Sequence, residues 1–428
     1  MILQDLPMWI SLPFLFIVGT VIGSFLNVCI HRLPKHDRLW DQLRGLSWPP
    51  SHCPKCKTRI ARGDNIPILG WLKLRGRCRS CSLRISPRYP LIELGNGLLF
   101  VLVYWIEVPA NLRGGGGSSL HSMYGPQMFD IWTTAGWIHW RYVYHMVMFE
   151  ALVVATFIDF DEMIIPDGST VPAMMVGILG GWGLGQVFLV PVWFQNSRDL
   201  IIWKSFTPEW FHPLLSGPDL PAWISAHPHW HGLAVSIAGC LVGGGIVWAV
   251  RIIGHWVLKR EAMGFGDVVL MAMVGSFVGW QPALVIFFIA PFCALAFILV
   301  ALLTRRGQEI PYGPYLSLGT LVLILGWDKI WPKVERIFAL GIGMPIFAVV
   351  MPVLLAGSLL LIQLGKRMLG ISTTPAPEYI EEWRSADQLQ YLAGENVDDQ
   401  QGRWKTEQWP GSQSGRGTFF ENQWRNGG

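Results

Sequence analysis

Residues 8–32 read MWISLPFLFIVGTVIGSFLNVCIHR, an apolar run that is closed by His31 and Arg32. The apolar part is long enough for the roughly 20 residues that a helix needs to cross a bilayer. No basic residue precedes the run and no small-residue cleavage site follows it, so it differs from a cleaved signal peptide. We therefore expect a retained transmembrane helix over residues 8–30 that begins outside and ends inside.

The composition of the whole chain indicates a membrane protein with many spans. Of its 428 residues, 51% are hydrophobic and only 14% are charged, and the mean hydropathy is +0.37. This apolar excess excludes general disorder, and 7 cysteines are too few for a secreted disulfide scaffold of this length. The sequence predicts an all-α polytopic membrane protein with about eight to nine transmembrane helices. After residues 8–30, the candidate spans are 91–108, 142–158, 171–192, 232–258, 268–280, 283–303, 315–327 and 338–364.

Basic residues are concentrated between the first two spans. Residues 31–90 contain 14 lysines and arginines against 3 aspartates, so the positive-inside rule makes this loop cytoplasmic. The pairs Lys259-Arg260, Arg305-Arg306 and Lys366-Arg367 fall on the same side when the spans alternate. Because the basic loop lies between two apolar spans, we expect it to orient the chain in the lipid bilayer and expect no nucleic acid partner.

These features divide the chain into four parts. Residues 1–30 are the first transmembrane helix, 31–90 the cytoplasmic basic loop, 91–370 the transmembrane core, and 371–428 a polar cytoplasmic tail that we expect to be disordered. The core contains inserts at about 109–141 and 194–231, which we expect on the outer side of the membrane. The closely spaced histidines His227, His229 and His231 are more typical of a solvated segment than of a metal site. No internal repeat is apparent.

The basic loop contains two Cys-x-x-Cys pairs, Cys53 with Cys56 and Cys78 with Cys81. Each pair can sit on a tight turn that points two thiolates at one tetrahedral metal, and the neighbouring basic residues favour ionised sulfur. Four thiolates favour zinc, with iron as the second candidate. Because four cysteines leave no position for water, we expect a structural zinc that folds a small loop; catalytic zinc and a redox dithiol are the weaker alternatives.

Carboxylates occur where two of the candidate spans meet the membrane surface: Asp159 at the end of one span and Asp267 at the start of another. Alternating spans place both of these ends on the cytoplasmic side, where Asp159 and Asp267 can face each other. Two such carboxylates can divide the work of an aspartic protease: one is ionised and deprotonates water, and the other is neutral and polarises the scissile carbonyl. We therefore predict that Asp159 and Asp267 are catalytic. The expected supporting residues are Asp161, Asp167, Gly264 and Gly266.

Other interpretations of these acids remain open. A single acid at a helix end is more often a capping or interfacial residue, which suits Asp167, at the start of the helix after Pro166. A proton- or cation-coupled transporter with a regulatory zinc loop is a second hypothesis, although a transporter needs acids near the bilayer midplane rather than at one rim. An inactive scaffold protein is a third.

Six motifs, in order along the chain, resemble the type IV prepilin peptidases of bacterial pilus and type II secretion systems. They cover positions about 14 to 328 except for the two inserts. They are Gly23-Ser-Phe-Leu-Asn27-Val with Arg32-Leu-Pro34, the paired Cys motifs, Ser86-Pro-Arg88-Tyr-Pro90-Leu-Ile-Glu93, Ile158-Asp159-Phe-Asp161 with Ile165-Pro166-Asp167, Gly264-Phe-Gly266-Asp267, and Pro311-Tyr-Gly313-Pro314-Tyr-Leu.

The resemblance implies a multi-pass aspartic endopeptidase of the bacterial plasma (inner) membrane that cleaves the basic leader of prepilins or pseudopilins at the cytoplasmic face. The aspartates of the family's two motifs correspond to Asp159 and Asp267. Many members also methylate the new N-terminus, so S-adenosylmethionine is implied as a cosubstrate beside structural zinc. Pilus or secretion assembly proteins are implied as further partners, and the scaffold alternative becomes an inactive scaffold for pilus assembly. The chain departs from the family in the long insert before His231, in its ninth span and in its tail.

Overall fold

The structure is a computed structural model that describes residues 7–36, 38–108, 135–185, 187–195, 200–201, 204–205, 208–210, 212, 220–258, 263–303, 311–338 and 344–368. Within these ranges the regular structure is helical, and strand-like pairing is limited to two isolated bridges, His52 with Arg59 and Arg77 with Arg84. In chain order the α-helices are α1 (Met8–Arg32), α2 (Leu39–Ser47), α3 (Leu69–Lys73), α4 (Arg88–Glu107), α5 (Ala135–Glu162), α6 (Asp167–Leu184), α7 (Ala222–Ala226), α8 (Pro228–Leu258), α9 (Phe265–Val278), α10 (Trp280–Leu303), α11 (Gly313–Leu325), α12 (Trp327–Phe338) and α13 (Met344–Met368).

Five segments of the described chain are long and apolar enough to cross a membrane. They are Met8–Lys35, Arg88–Glu107, Ile138–Glu162, Pro228–Leu258 and Trp280–Leu299. Shorter apolar helices occupy Phe265–Val278, Gly313–Leu325 and Val350–Gly365. The expected class, an all-α protein with several membrane spans, is confirmed, whereas the number of eight to nine spans stays a prediction.

The expected span at 171–192 is helical only in its first part. α6 ends at Leu184, where Gly185 takes a left-handed backbone conformation with φ of +71° and stops the helix. Much of the segment at 187–195 is buried without being helical. Hydropathy alone does not distinguish such a segment from a helix, because both are apolar.

Side chains of α8 and α10 bind the backbone of this buried segment. Trp280 Nε1 donates to the carbonyl oxygen of Val192 (2.8 Å), and Gln281 Nε2 donates to that of Pro191 (2.7 Å). The Val192 amide donates to Nε2 of His231 (3.0 Å). Non-helical backbone is tolerated within a membrane protein where the protein supplies its hydrogen bonds. His231 is completely buried, so the expectation of a solvated segment is wrong for this residue.

The helices of the core approach one another closely at small residues. α1 packs along α4, and a methyl group added to Gly19 would lie 2.8 Å from the α carbon of Gly97. α9 packs on α6, and α10 packs on α11. α5 contacts α6, α9 and α11, so its end is surrounded by the starts of these three helices, where the candidate site lies.

The chain divides into two compact units. One comprises residues 1–252 and 263–351, and the other residues 253–262 and 352–428. In the second unit, Gln363 Nε2 donates to the carbonyl oxygen of Val257. The tail at 371–428 and most of the expected insert at 109–141 lie outside the described residues.

Candidate functional site

Asp159 lies in the last helical turn of α5, one turn before Glu162, at which the helix ends. Met163 takes a left-handed conformation with φ of +53°, and its amide donates to the Asp159 carbonyl oxygen (3.0 Å), which closes the helix. The Asp159 side chain is buried, with only 4% of the residue exposed. Local backbone geometry therefore fixes the end of α5 directly beside the predicted catalytic group.

Pro166 separates α5 from α6, as the sequence predicts. It precedes the first residue of α6, Asp167, and its carbonyl oxygen accepts a hydrogen bond from Ser169 Oγ (2.8 Å). The amide of Gly168 donates to Gln42 Oε1 of α2 (2.6 Å). Asp167 is exposed at this helix start, which fits the interpretation as an ordinary residue of a helix N-terminus.

Asp267 stands in the first turn of α9. Its Oδ2 accepts a hydrogen bond from the amide of Gly264 (3.2 Å), the residue that caps the helix. An aspartate at this position satisfies one of the free N–H groups of the helix start and interacts favourably with the helix dipole. Asp267 is 7% exposed.

The fold brings the two predicted catalytic aspartates together. α5, α9 and α11 contact one another, and Asp267 is one of the charges close enough to act on the Asp159 carboxyl group. Ile165 contacts both helix starts: a methyl group added to Gly266 would lie 2.9 Å from its Cβ, and one added to Gly313 would lie 3.0 Å from its Cδ1. Two carboxylates, 108 residues apart in the sequence, thus share one partly enclosed site.

The start of α11 forms a wall of this site for which sequence analysis assigned no role. A methyl group added to Gly313 would lie 2.5 Å from Asp159 Oδ2. That oxygen is buried and has no hydrogen-bond partner among the described residues. The available signal was the Gly313-Pro314 pair at the start of an apolar run, since proline favours the first turn of a helix and glycine permits close approach.

Asp161, an expected supporting residue, points away from the paired aspartates. Its carboxylate forms an ion pair with Arg88, in which Nη1 donates to Oδ1 at 2.8 Å and Nη2 lies 2.6 Å from Oδ2. Arg88 is the first residue of α4. At Gly266, Ile165 fills the space that a side chain would need, and the supporting role of this glycine stays a prediction.

The four cysteines of the basic loop form one cluster. Their sulfurs all lie within 4.8 Å of one another, with Cys53 and Cys81 at 3.7 Å and Cys56 and Cys78 at 4.0 Å. Two sulfurs of a tetrahedral zinc site are expected about 3.8 Å apart, since each Zn–S bond is about 2.3 Å. The donor set and its geometry therefore fit a metal ion. Hydrogen bonds from Thr58 lower the pKa of the Cys56 thiol to about 6. Despite a backbone hydrogen bond from Leu83, burial and the other three cysteines raise the pKa of the Cys81 thiol to about 11.

The two halves of the cysteine loop have the same backbone structure. The Cys53 amide donates to Thr58 O (2.9 Å), and the Cys78 amide donates to Leu83 O (2.8 Å). Lys57 and Ser82, each directly after the second cysteine of its pair, have φ of +55° and +58°. The loop thus contains a repeat that sequence analysis missed. Its signal is Cys-x-x-Cys-x-x-Arg-Ile at residues 53–60 and again at 78–85.

One hydrogen bond attaches the cysteine loop to α4, and a second lies within the loop. The Ile68 amide donates to Glu93 Oε2 (2.7 Å), and Trp71 Nε1 donates to the Ile85 carbonyl oxygen (3.0 Å). Arg79 forms an ion pair with Asp64 and lowers the pKa of that carboxyl group. Glu93 is buried. The loop therefore contacts the first part of α4.

Comparison with known proteins identifies the family. The model of the Bacterial Peptidase A24 N-terminal domain matches residues 17–106, and that of the Type IV leader peptidase family matches residues 222–299. A prepilin leader peptidase/N-methyltransferase of Myxococcus xanthus is 33% identical over 359 residues, covering 77% of this chain and 93% of the relative. A type 4 prepilin-like proteins leader peptide-processing enzyme of Escherichia coli is 31% identical over 327 residues, covering 73% and 94%.

A third relative, a prepilin leader peptidase/N-methyltransferase of Aeromonas salmonicida, is 28% identical over 343 residues, covering 75% of this chain and 93% of the relative. No solved structure matches the chain. At this identity and coverage, the chain belongs to the type IV leader peptidase family, and the resemblance inferred from its motifs is confirmed. The transporter alternative is not favoured, because these relatives are named as peptidases.

Proposed function

We propose that this chain is a membrane aspartic endopeptidase that removes the leader peptide of type IV prepilins or pseudopilins and then N-methylates the new N-terminus. The observation that carries the proposal is the pairing of two buried carboxylates, Asp159 and Asp267, at the ends of different helices. Neither carboxylate forms a salt bridge within the described residues, in contrast to Asp161, which is neutralised by Arg88. Two such groups, free of cations, are suited to share one proton.

The chemistry follows from this pair. The ionised carboxylate takes a proton from water while the water oxygen attacks the carbonyl carbon, and the protonated partner donates its proton to the carbonyl oxygen. The resulting gem-diol collapses when its hydroxyl proton returns to the second carboxylate. The first carboxylic acid gives its proton to the leaving nitrogen, and the C–N bond breaks. Both carboxyl groups then have their initial protonation states.

The remaining parts of the proposal concern location and cofactors. The basic loop and the alternating spans support an active site at the cytoplasmic face of the inner membrane. Cys53, Cys56, Cys78 and Cys81 would hold zinc as a closed structural site, because four thiolates leave no position for water. S-adenosylmethionine would supply the methyl group. The prepilin or pseudopilin is the substrate partner, and assembly proteins of the pilus or secretion machinery are further proposed partners.

The test uses membranes that contain the full chain and a synthetic prepilin, with and without S-adenosylmethionine. Mass measurement should show removal of the leader and, with the methyl donor, a gain of one methyl group. Asp159→Asn and Asp267→Asn should each lower cleavage by at least about 10³-fold while the protein accumulates normally, because each removes one half of the acid and base pair.

The matched control is Asp41→Asn, which changes an exposed aspartate of α2 on the same cytoplasmic side. It should cleave at the normal rate. Normal cleavage by both the Asp159 and the Asp267 variant would remove the aspartic protease from consideration.

A further inference from the structure

Arg88, at the start of α4, binds the last turn of α5, which carries Asp159. Its two terminal nitrogens bind the two carboxylate oxygens of Asp161 in the parallel arrangement that is the strongest geometry of an arginine–carboxylate pair. The guanidinium carbon also lies over the ring of Phe157, 5.1 Å from its centroid. Nη2 reaches the Phe157 carbonyl oxygen at 3.5 Å. One side chain thus contacts two residues of the same helix.

These contacts lie on the opposite side of α5 from Asp159. Phe157 and Asp161 are four residues apart and share one face of the helix. Asp159 lies two residues from each, which is a rotation of about 200°. Arg88 therefore binds the last turn of α5 on the face opposite Asp159. Gly313 and Ile165 lie on the side to which the Asp159 carboxyl group points.

The end of α5 needs such support. The last carbonyls of a helix lack intrahelical donors, and an acid in the last turn interacts unfavourably with the helix dipole. Asp161 and Glu162 are both acidic, and α5 has no basic residue of its own in this turn. The guanidinium supplies the positive charge and the donors from another helix.

Arg88 is itself held in place by neighbouring parts of the chain. Its amide donates to Ser86 Oγ (3.2 Å), and Pro87 caps the helix that it begins. The next residue, Tyr89, accepts a hydrogen bond at its carbonyl oxygen from Asn27 Nδ2 of α1 (3.1 Å). The backbone that carries the Arg88 side chain is thus anchored to α1 and α4, outside the helices that carry the two aspartates.

We propose that Arg88 is a positioning residue for peptide cleavage. By binding Asp161 and Phe157, it sets the rotation and height of the last turn of α5, and so the place of the Asp159 carboxyl group relative to Asp267. This inference rests on the proposed function. Because a displacement of about 1 Å of a reacting group can lower the rate about 10²-fold, a small movement of this turn would be sufficient to impair catalysis.

The experiment compares Arg88→Lys, Arg88→Gln, Asp161→Asn and the double variant Arg88→Gln with Asp161→Asn in the full chain, purified in detergent. Each single variant should lower kcat for a synthetic prepilin by about 10- to 100-fold and change KM by less than about threefold. The kcat of the double variant should be no lower than that of the single variants, because both changes break the same contact. Arg44→Gln, a change at an exposed arginine of α2, is the control and should leave kcat unchanged.

The midpoint of thermal unfolding separates positioning from general stability. Both partners are partly exposed, at 37% and 23% of their side-chain surface, so the pair should affect the unfolding midpoint little. The proposal is overturned if Arg88→Gln keeps the wild-type kcat or only raises KM. It is also overturned if the losses of kcat add up in the double variant, or if they follow the fraction of unfolded protein. Asp159→Asn serves as the reference: if it also cleaves normally, the proposed function fails, whereas an inactive Asp159→Asn beside a fully active Arg88→Gln refutes only the positioning role.

Discussion

Gly313 lacks a side chain at the point where the backbone of α11 meets the Asp159 carboxyl group. A methyl group added to Gly313 would lie 2.5 Å from Oδ2, closer than a β carbon approaches another atom in folded proteins, so any other residue would displace either α11 or the carboxylate. Ile165 occupies the other side of the same glycine. Residue size at this position therefore controls the geometry of the predicted acid and base pair.

Replacing Gly313 by alanine should reduce cleavage far more than it reduces stability. We expect Gly313→Ala to lower kcat by about 10²-fold, because the added methyl group displaces the Asp159 carboxyl group by about 1 Å. The measurement is steady-state cleavage of a synthetic prepilin by purified protein, together with its thermal unfolding midpoint.

Two further variants test this explanation. Gly245→Ala, where a methyl group meets no atom within 4 Å, should retain full activity. Combining Gly313→Ala with Ile165→Val removes the contact with Cδ1 but leaves the one with Asp159, so activity should stay low. Recovery in the double variant would assign the effect to Ile165 packing instead.

The cysteine loop is the element whose structure we expect to depend most directly on a metal ion. Each half is a short turn that ends in a left-handed residue, Lys57 or Ser82, and few of its side chains are buried. Cys53 is its one buried cysteine. Such a loop has too small a core to fold by apolar burial alone, so we expect metal binding to supply much of its folding free energy.

Zinc content should follow the four cysteines. Purified wild-type protein should contain one zinc ion per chain, and Cys56→Ser or Cys81→Ser should lose it and become sensitive to limited proteolysis within residues 48–87. Cys293→Ser changes a half-buried cysteine of α10 and should retain one zinc ion. Elemental analysis by mass spectrometry gives the readout. A folded wild-type protein with neither zinc nor iron would contradict the closed metal site.

At the scale of the whole molecule, the site constrains how the chain crosses the membrane. The end of α5 and the starts of α9 and α11 meet at Ile165, so all three ends belong to one face. An even number of crossings should therefore separate Asp159 from Asp267. Because Pro228–Leu258 is long and apolar enough to cross the membrane, we predict that α6 crosses it as well. With α1 entering from outside, nine spans leave the tail in the cytoplasm and eight leave it outside.

Protease protection of an epitope tag distinguishes these topologies. In spheroplasts, a tag after Ser118 should be digested by external protease, and a tag at the C-terminus should be protected until the membrane is broken. Both outcomes follow from nine spans and from the basic pair Lys366-Arg367 at the end of α13. A C-terminal tag digested in intact spheroplasts would indicate eight spans.

Much of this architecture is readable from the chain, and the exceptions have a common cause. Pro166 marks the boundary between α5 and α6 because proline disrupts helix hydrogen bonds, a local effect. The two Cys-x-x-Cys pairs predict the cysteine cluster because each pair is a short local motif and tetrahedral metal coordination needs both pairs. By contrast, the pairing of Arg88 with Asp161 spans 73 residues, and the burial of His231 depends on Val192 of a distant segment. Pairings across such separations leave no periodic signal in one sequence.

The sequence by itself determined the helical membrane class and the two Cys-x-x-Cys pairs, because hydropathy and short spacings act within a few residues. The catalytic role of the two aspartates stays a prediction from the sequence. Only the tertiary structure decided that Gly313 lies against Asp159, that Arg88 holds the end of α5, and that the apolar segment after Leu184 is not a helix. These features depend on which helix faces which, and that choice is made by the packing of all the helices together.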